Sequence, residues 1–315
     1  MGILKKGQLL PLRFLATMNS SLSRSLPRYF GSEYQMQLLV NRSYSSTENE
    51  KKTHFGFETI SKAEKEARVA GVFSSVAASY DSMNDFMSLG IHRLWKDYFV
   101  RSINPGFSSC EPPRPWTMLD IAGGTGDIAF RLLTHCNQVN HSPESTVTIS
   151  DINQEMLLEG RKRSLTTPYA QSPCLKFLLA NAEHLHEIPS NSVDLYTVAF
   201  GIRNFTNIEA ALAEAYRVLR PGGVFACLEF SRVTSPLFNA IYKRWSFSAI
   251  PLIGQLVAGD RDSYQYLVES IERFPKQDAF KNMITRVGFD VPTCGWENLS
   301  GGIAAIHKGV KPFSI

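Results

Sequence analysis

A glycine-rich loop stands between an apolar strand and a helix in the stretch Leu119–Asp127, which reads LDIAGGTGD. Glycines let a ligand approach the backbone closely, and the free N–H groups at a helix N-terminus bind negative groups. The loop lacks the Lys-Ser/Thr pair of a nucleotide P-loop. It also departs from the GxGxxG spacing of dinucleotide sites, because Ile128 and Ala129 follow it. Taken alone, such a loop could be a tight turn, so the ligand must be inferred from other residues.

Two acidic residues and a polar pair strengthen the prediction of a ligand site. Asp151 ends the second predicted strand, 25 residues after Gly126, where a carboxylate accepts hydrogen bonds from ribose hydroxyls. Asp120 precedes the glycines, which is characteristic of S-adenosylmethionine sites rather than NAD sites. Asn181 and Ala182 follow the third predicted strand, where such folds usually contact adenine. The combination predicts a nucleoside ligand.

The elements that must position these residues alternate between short apolar strands and amphipathic helices. The predicted core strands are Met118–Ala122, Thr146–Ser150, Leu175–Leu179, Val193–Phe200 and Val224–Glu229. Helices are predicted at Asp127–Cys136, after Asp151 through Met156 to Arg163, and at Ile208–Leu219, and late strands at Asp290–Thr293 and Ile303–His307. This alternation predicts an α/β fold with a seven-stranded, mostly parallel sheet that carries helices on both faces.

The chain divides into five predicted segments. Residues 1–46 are interpreted as a presequence, 47–110 as a helical N-terminal lid, 111–231 as the ligand-binding core, 232–288 as a helical cover on the substrate side, and 289–315 as the strands that complete the sheet. Within the segment 232–288, Trp245–Gly259 is uncharged over 15 residues. It is too short to span a bilayer and contains Pro251 and Gly254.

Charge is distributed unevenly along the 315 residues. Residues 1–47 carry six Lys and Arg residues against one acid, Glu33, so the net charge of +4 divides into +5 there and −1 over the remaining chain. A near-neutral body excludes a broad nucleic-acid-binding surface. A basic segment with apolar positions around Leu9–Leu15 is typical of a mitochondrial presequence. A basic tail without a targeting role is the alternative.

Metal-binding and disulfide patterns are weak. The five cysteines include no pair with CxxC spacing, which argues against a zinc ribbon or a disulfide framework and favours a reducing compartment. His184 and His186 form an HxH pair without an accompanying cysteine or carboxylate cluster, and we interpret them as surface residues. No metal site is predicted.

Two longer stretches resemble signatures of the ubiquinone/menaquinone C-methyltransferases. Residues 80–95, YDSMNDFMSLGIHRLW, resemble the first signature, and residues 217–231, RVLRPGGVFACLEFS, resemble the second, with Arg220 where the family usually has Lys. Residues 200–204, FGIRN, also match. The resemblance extends from about His54 to His307. It implies a class I methyltransferase fold with S-adenosylmethionine as the methyl donor and no metal.

The resemblance also implies which residues hold the donor. It assigns donor contacts to Thr125, Asp151 and the pair Asn181-Ala182, and it places Ala199 where the family has a serine, so a contact there would use only the backbone. With the glycine loop, the predicted donor-binding residues are Asp120, Gly123, Gly124, Thr125, Gly126, Asp151, Asn181, Ala182 and Ala199.

The implied acceptor is the ring carbon of a polyprenyl benzoquinol in coenzyme Q biosynthesis. That carbon becomes a good nucleophile when a neighbouring hydroxyl ionises, and a phenol has a pKa of about 10. We therefore expect Arg203, just after the fourth strand, to stabilise the phenolate at the carboxyl edge of the sheet. Tyr80 is expected to orient the ring or a water, and an Arg203–Asp151–Tyr80 network to join the donor and acceptor sites. Asp151 is thus counted among the catalytic residues as well.

Finally, the resemblance implies a location and partners. It implies a peripheral position on the matrix side of the mitochondrial inner membrane, within an assembly of other coenzyme Q biosynthetic proteins, and leaves a homodimer open. The apolar residues of Trp245–Gly259 would line a groove for the polyprenyl tail or dip into the membrane surface, with buried helix packing as the alternative. Two rival functions remain: a donor-binding scaffold without catalysis, and an NAD-dependent oxidoreductase.

Overall fold

The computed structural model describes residues 52–76, 85, 88, 90–108, 114–236, 261–292 and 294–313, with a few single positions between 239 and 255. The predicted presequence, Tyr80 and most of Trp245–Gly259 lie outside the described residues. The described chain belongs to one compact unit, Asn49–Ile315. Among the helices of the described residues, none is both long and apolar enough to cross a membrane.

Within the described residues, the N-terminal part of the unit is a hairpin followed by two helices. Strands β1, Lys52–Phe55, and β2, Glu58–Ser61, pair in antiparallel fashion around a turn at Gly56, whose φ is 54°. Helices α1, Lys62–Val76, and α2, Ile91–Ile103, follow. The sequence predicted a mostly helical segment here and did not anticipate the hairpin, whose strands are only four residues long.

The main sheet has seven strands in the order β5-β4-β3-β6-β7-β9-β8. The strands are β3, Thr117–Ile121; β4, Thr146–Asp151; β5, Leu175–Leu179; β6, Val193–Ala199; β7, Leu219–Phe230; β8, Trp296–Leu299; and β9, Ala304–Val310. Neighbours from β5 to β7 are parallel, and β9 pairs in antiparallel fashion with both β7 and β8. This arrangement confirms the predicted α/β fold.

Helices connect the strands and cover both faces of the sheet. They are α3, Asp127–Gln138; α4, Gln154–Ser164; α5, Ile208–Val218; α6, Arg261–Arg273; and α7, Gln277–Val287. Side-chain caps fix where two of them begin, since Asn153 accepts a hydrogen bond from the Met156 amide and Asn207 accepts one from the Ala210 amide. Helix α4 therefore begins directly after the end of β4, whereas a short 3₁₀ turn separates the end of β6 from α5.

The core lies in two apolar layers on opposite faces of the sheet. Successive side chains of a strand point to opposite faces, and the central strand β6 shows the consequence. Leu195 belongs to the layer that contains Leu132 of α3, whereas its neighbour Tyr196 belongs to the layer that contains Leu212 of α5. Strand β6 is buried on both faces, which is typical of a central parallel strand.

Two strand predictions near the C-terminus are wrong in their bounds. Asp290–Thr293 was predicted as a strand, but Asp290 makes only an isolated bridge to Val310, and the edge strand is β8, Trp296–Leu299. Strand β7 begins at Leu219 rather than Val224, because Leu219 already pairs with Val193 before the register shifts. Neither difference changes the edge of the sheet that carries the predicted site.

Candidate functional site

A cavity opens at the carboxyl ends of strands β3, β4, β5 and β6. With its open mouth included, its volume is about 1110 Å³. Eight of the nine predicted donor-binding residues line it: Asp120, Gly123, Gly124, Thr125, Asp151, Asn181, Ala182 and Ala199. Gly126 is not among the lining residues; it is the residue before α3 and has a φ of 83°. Parallel strands end at one edge, so four strand ends far apart in sequence meet here.

Helix α1 forms another wall of this cavity through Glu66, Val69, Ala70 and Phe73. Asn153, at the start of α4, holds the helix in place by donating hydrogen bonds to the Ala70 carbonyl at 3.1 Å and to Ser74 Oγ at 3.0 Å. Lys65 also anchors the helix, since its Nζ donates to the Phe205 carbonyl at 2.7 Å. We call helix α1 with these two anchors the α1 wall.

Asp151 fastens the glycine loop to the end of β4. Its carboxylate accepts hydrogen bonds from the Gly124 amide at 3.0 Å and from the Asn153 amide at 2.9 Å. Burial raises the pKa of Asp151 to about 6, although these amide hydrogen bonds oppose the rise. The predicted proximity of Asp151 to the glycine loop is confirmed.

Asp120 lies buried beside the loop. Thr197 donates a hydrogen bond to its Oδ1 at 2.8 Å, whereas Oδ2 is buried without a partner among the described residues. Burial raises the pKa of Asp120 to about 7. A Cβ on Gly123 would come within 2.8 Å of that oxygen, so only glycine leaves the space open. A buried acceptor that lacks a donor indicates a place for a cationic or hydrogen-donating ligand group.

Backbone conformation at this edge is unusual in two places. Ala122, after β3, has a φ of 51°, and Phe200, after β6, has a φ of 56°. Both residues line the cavity. Left-handed backbone at a residue other than glycine costs free energy and persists where surrounding structure enforces it. The two strand ends are therefore held in turns that the local sequence does not favour.

The adenine end of the predicted site lies after β5. Asn181 Oδ1 accepts a hydrogen bond from the Glu183 amide at 2.8 Å, and Ala182 is buried. Glu183 in turn accepts from the Asn207 amide at 2.7 Å, so this loop is tied to the start of α5. Contact of Asn181, Ala182 and Ala199 with the donor stays a prediction, as it does for the other six predicted donor-binding residues.

Arg203 occupies a different environment from the one predicted. It lies in a short 3₁₀ turn, Ile202–Asn204, with a side chain only 3% exposed, and its Nη1 lies 2.8 Å from Glu229 Oε1. It also donates to the Phe200 carbonyl and to Ser270 Oγ. Among the described residues, Arg203 is not part of the cavity lining, and its guanidinium lies 5.5 Å from the centroid of the Phe230 ring.

The predicted pair between Arg203 and Asp151 is wrong. Asp151 accepts from backbone amides, and Arg203 binds Glu229 instead. Strand order explains the difference, because β7, which carries Glu229, is the direct neighbour of β6, whereas β4 lies two strands away from β6. Tyr80 lies outside the described residues, so its predicted role stays a prediction.

Lys96 and Asp127 line the cavity, although the sequence did not predict them as site residues. Lys96 Nζ lies 2.8 Å from Asp127 Oδ2, and the two side chains are 5% and 14% exposed. Burial of Asp127 opposes ionisation, but Lys96 and Arg131 outweigh it and lower the pKa of Asp127 to about 2. Only their positions in the sequence could have indicated these two residues, because Asp127 directly follows the glycine loop and Lys96 directly follows the first signature.

Trp95 and His92 are buried packing residues in the structure, whereas His184 and His186 are exposed, as the sequence predicted. Trp95 packs on Phe200 and Phe230 and donates from Nε1 to Ser300 Oγ at 3.0 Å, while His92 lies 2.8 Å from Asp85. The Trp95 contacts fix α2 to the core, whereas the His92 contact ties α2 to the segment just before it. His184 and His186 stack on each other with ring centroids 6.0 Å apart. Within the described residues, no group of three or more potential ligands is arranged to hold a metal ion.

The fold and the cavity at its carboxyl edge define a class I S-adenosylmethionine-dependent methyltransferase. The unpaired Asp120 oxygen and the glycine loop that a Cβ would obstruct both fit such a donor. The chain belongs to the ubiE/COQ5 methyltransferase family, whose model matches residues 61–311.

Curated relatives agree with this membership, and a solved structure shares the fold. The chain is 52% identical to the mitochondrial 2-methoxy-6-polyprenyl-1,4-benzoquinol methylase of Schizosaccharomyces pombe, over 87% of this chain and 90% of that protein. It is 51% identical to the ubiquinone/menaquinone biosynthesis C-methyltransferase UbiE of Bartonella henselae, over 82% and 93% of the two chains. A chain from the complex of the Haloferax volcanii Trm112 methyltransferase activator with a methyltransferase is 15% identical, covers 76% of this chain and 98% of its own length, and gives a TM-score of 0.51. That likeness concerns the fold alone.

Gly160 of α4 packs against the backbone of the glycine loop, so a larger residue at this position is expected to disturb the loop. A Cβ at Gly160 would lie 2.7 Å from the Gly124 carbonyl oxygen. Gly→Ala inside a helix ordinarily stabilises by about 0.5–1 kcal/mol. We expect Gly160→Ala instead to displace the loop and weaken S-adenosylhomocysteine binding by about tenfold or more, equivalent to about 1.4 kcal/mol.

Gly71 of α1 supplies the matched control, because a Cβ there meets no atom within 4 Å. Gly71→Ala should leave affinity unchanged and raise the melting temperature. Calorimetric titration and thermal unfolding of both variants decide the matter, and equal affinities for Gly160→Ala and the parent would contradict the prediction.

The raised pKa values of Asp151 and Asp120 predict that donor affinity depends on pH. Below about pH 6 both carboxyls are protonated, and they ionise as the pH rises through about 6 and about 7. S-adenosylmethionine is cationic at its sulfonium, so its affinity should rise across this window and then level off. Asp120→Asn should remove the upper part of the rise. Titrations from below pH 6 to above pH 7 test this, and S-adenosylhomocysteine, which lacks the sulfonium charge, should show the smaller slope.

Proposed function

We propose that this enzyme transfers a methyl group from S-adenosylmethionine to the ring carbon of 2-methoxy-6-polyprenyl-1,4-benzoquinol in mitochondrial ubiquinone biosynthesis. The observation that carries the proposal is the assembly of eight predicted donor residues around one cavity at the carboxyl edge of the sheet. Relatives that bear this enzyme name are aligned over about nine-tenths of their own length, as in Schizosaccharomyces pombe and Caenorhabditis elegans.

When bound, S-adenosylmethionine supplies an electrophilic methyl group on a sulfonium sulfur. The chain contributes orientation first, through the glycine loop that Asp151 fastens and through the buried Asp120 carboxyl. The α1 wall contributes the exclusion of water, because α1 closes one side of the cavity. Both contributions align donor and acceptor and thereby lower the entropic part of the barrier.

Arg203 has two proposed roles that differ in their consequences. Its buried pairing with Glu229 supports a positioning role, in which it holds the turn that carries Gly201, Asn204 and Phe205 into the cavity wall. The sequence-based hypothesis is that it stabilises a phenolate, with Tyr80 orienting the ring. That hypothesis requires the guanidinium to reach the acceptor, and the variants described in the Discussion separate the two roles.

Location and assembly follow as further parts of the proposal. The basic N-terminal segment and the mitochondrial names of eukaryotic relatives support import into mitochondria. We propose a peripheral position on the matrix side of the inner membrane, where a polyprenyl acceptor resides, and association with other coenzyme Q biosynthetic proteins. The apolar segment Trp245–Gly259 is the proposed contact with the tail or the membrane surface.

The direct test is incubation of the protein with S-adenosylmethionine labelled in its methyl group and a 2-methoxy-1,4-benzoquinol. This acceptor carries a short prenyl tail and has no methyl group on the ring carbon to be methylated. We expect the label in a new carbon-bound methyl on the ring. Binding of S-adenosylhomocysteine without labelled product from either short- or long-tailed acceptors would support the scaffold alternative. Calorimetric binding of NAD instead of S-adenosylhomocysteine would contradict both.

A further inference from the structure

Asn204 presents an unusual polar group at the wall of the cavity. It is the last residue of the 3₁₀ turn after β6, it lines the cavity, and it is 9% exposed. Its Oδ1 accepts a hydrogen bond from the Tyr266 hydroxyl at 3.0 Å. Its Nδ2 is buried and has no hydrogen-bond partner among the described residues. Buried unpaired donors are rare and costly, so a group that supplies an acceptor is the expected explanation.

The Tyr266 hydroxyl lies against the oxygen of the Asn204 amide and not against its nitrogen. Burial raises the pKa of the Tyr266 hydroxyl, which therefore stays protonated and is able to donate to the amide oxygen. The Tyr266 ring is held in turn by Phe55 of β1, with ring centroids 4.1 Å apart and an interplanar angle of 15°. The oxygen of the amide is thus occupied, and the two N–H groups remain for a ligand.

The order of strands places Asn204 beyond the donor. Along the edge of the sheet, the predicted adenine residues follow β5, Asp151 follows β4, and the glycine loop follows β3. The next strand is β6, whose end carries Asn204. A donor laid out from adenine to ribose to sulfonium in this direction would bring its methyl group to the β6 end of the cavity. An acceptor oxygen next to the methylated carbon belongs on that side.

We infer that Asn204 donates a hydrogen bond to the ring oxygen of the phenolic acceptor next to the carbon that is methylated, and that Tyr266 is the positioning residue for this contact. The inference rests on the proposed function and deepens it. An N–H donor stabilises the ionised oxygen more than the protonated hydroxyl, and it thereby lowers the pKa of the acceptor hydroxyl. The ring carbon then becomes nucleophilic at a lower pH.

Three variants of the full chain test the inference: Asn204→Ala, Asn204→Asp and Tyr266→Phe. Asn204→Ala should reduce kcat by about 10²–10³, the scale of losing one stabiliser of an oxyanion, with S-adenosylhomocysteine affinity within about threefold of the parent. Its rate should recover as the pH rises, because the acceptor hydroxyl then ionises unaided. Asn204→Asp keeps the shape but puts a carboxylate next to the phenolate, so its loss should be at least as large. Tyr266→Phe should show a smaller loss and the same shift of the pH profile.

Several results would overturn the inference. One is unchanged kcat in Asn204→Ala; another is a fall in S-adenosylhomocysteine affinity that matches the fall in kcat, which would place Asn204 on the donor. A pH profile of unchanged shape in all three variants would also contradict it. Failure of the proposed function is recognised separately, because the parent protein would then form no labelled product. In that case, calorimetry of a 2-methoxyphenol in the presence of S-adenosylhomocysteine tests the contact directly: equal affinity of the parent and Asn204→Ala overturns the inference.

Discussion

Arg203→Ala is expected to lower the free energy of unfolding by about 3–5 kcal/mol, because it leaves the Glu229 carboxylate buried without its partner. The two side chains are 3% and 1% exposed, so water cannot replace the lost contact. The same change removes the hydrogen bonds that the guanidinium donates to the Phe200 carbonyl and to Ser270 Oγ. Chemical denaturation measures this loss, and donor affinity should fall with it because the turn at the cavity wall loosens. Unfolding at the parent's denaturant midpoint would contradict the prediction.

A double variant separates stability from chemistry at this position. Arg203→Met combined with Glu229→Leu replaces the ion pair by apolar side chains of similar size, which often restores stability in buried pairs. If stability and turnover both recover, Arg203 acts only as a positioning residue. If stability recovers while turnover stays about 10²–10³ below the parent and rises with pH, Arg203 stabilises the phenolate as the sequence-based hypothesis holds.

Asp151→Ala is expected to weaken S-adenosylhomocysteine binding by about 1–3 kcal/mol, because charge-assisted hydrogen bonds to the ribose are lost. The Gly124 amide would lose its acceptor as well, so the glycine loop should become less fixed. Asp151→Asn retains one acceptor oxygen but no charge, and its loss should be intermediate. Isothermal titration of both variants gives the result, with the far-ultraviolet spectrum as a check on folding. Parental affinity in Asp151→Ala would remove Asp151 from the donor site.

The parts of the site that the sequence predicted correctly depend on local pattern. Asp151 ends a strand of alternating Val/Ile and Thr/Ser residues, and the glycine loop follows the strand β3. Parallel strands end at the same edge, so the meeting of the two follows from the fold class alone. The partner of Arg203 depends instead on strand order. Nothing in the run of residues 200–204 shows that β7 rather than β4 lies beside β6.

Contacts between distant elements were equally inaccessible. Lys96 and Asp127 pair across α2 and α3, and Tyr266 reaches Asn204 from a helix more than 60 residues away. The hairpin of β1 and β2 has strands too short to produce a distinct alternation. Side-chain pairing of this kind is set by tertiary packing, which periodicity and spacing do not encode.

The left-handed turns at Ala122 and Phe200 have a consequence for how the enzyme tolerates change elsewhere. Their conformations are unfavourable for the free chain and are held by the packed ends of β3 and β6 and, at Phe200, by an amide hydrogen bond to the Leu228 carbonyl of β7. Relaxation of these turns would release that cost, so we expect them to be the first part of the cavity wall to relax when the packing of the sheet is weakened. Neutral drift that erodes the stability of the sheet would then reduce donor affinity before the protein loses its fold. In a population of homologous sequences, function rather than folding would set the threshold for acceptable core substitutions.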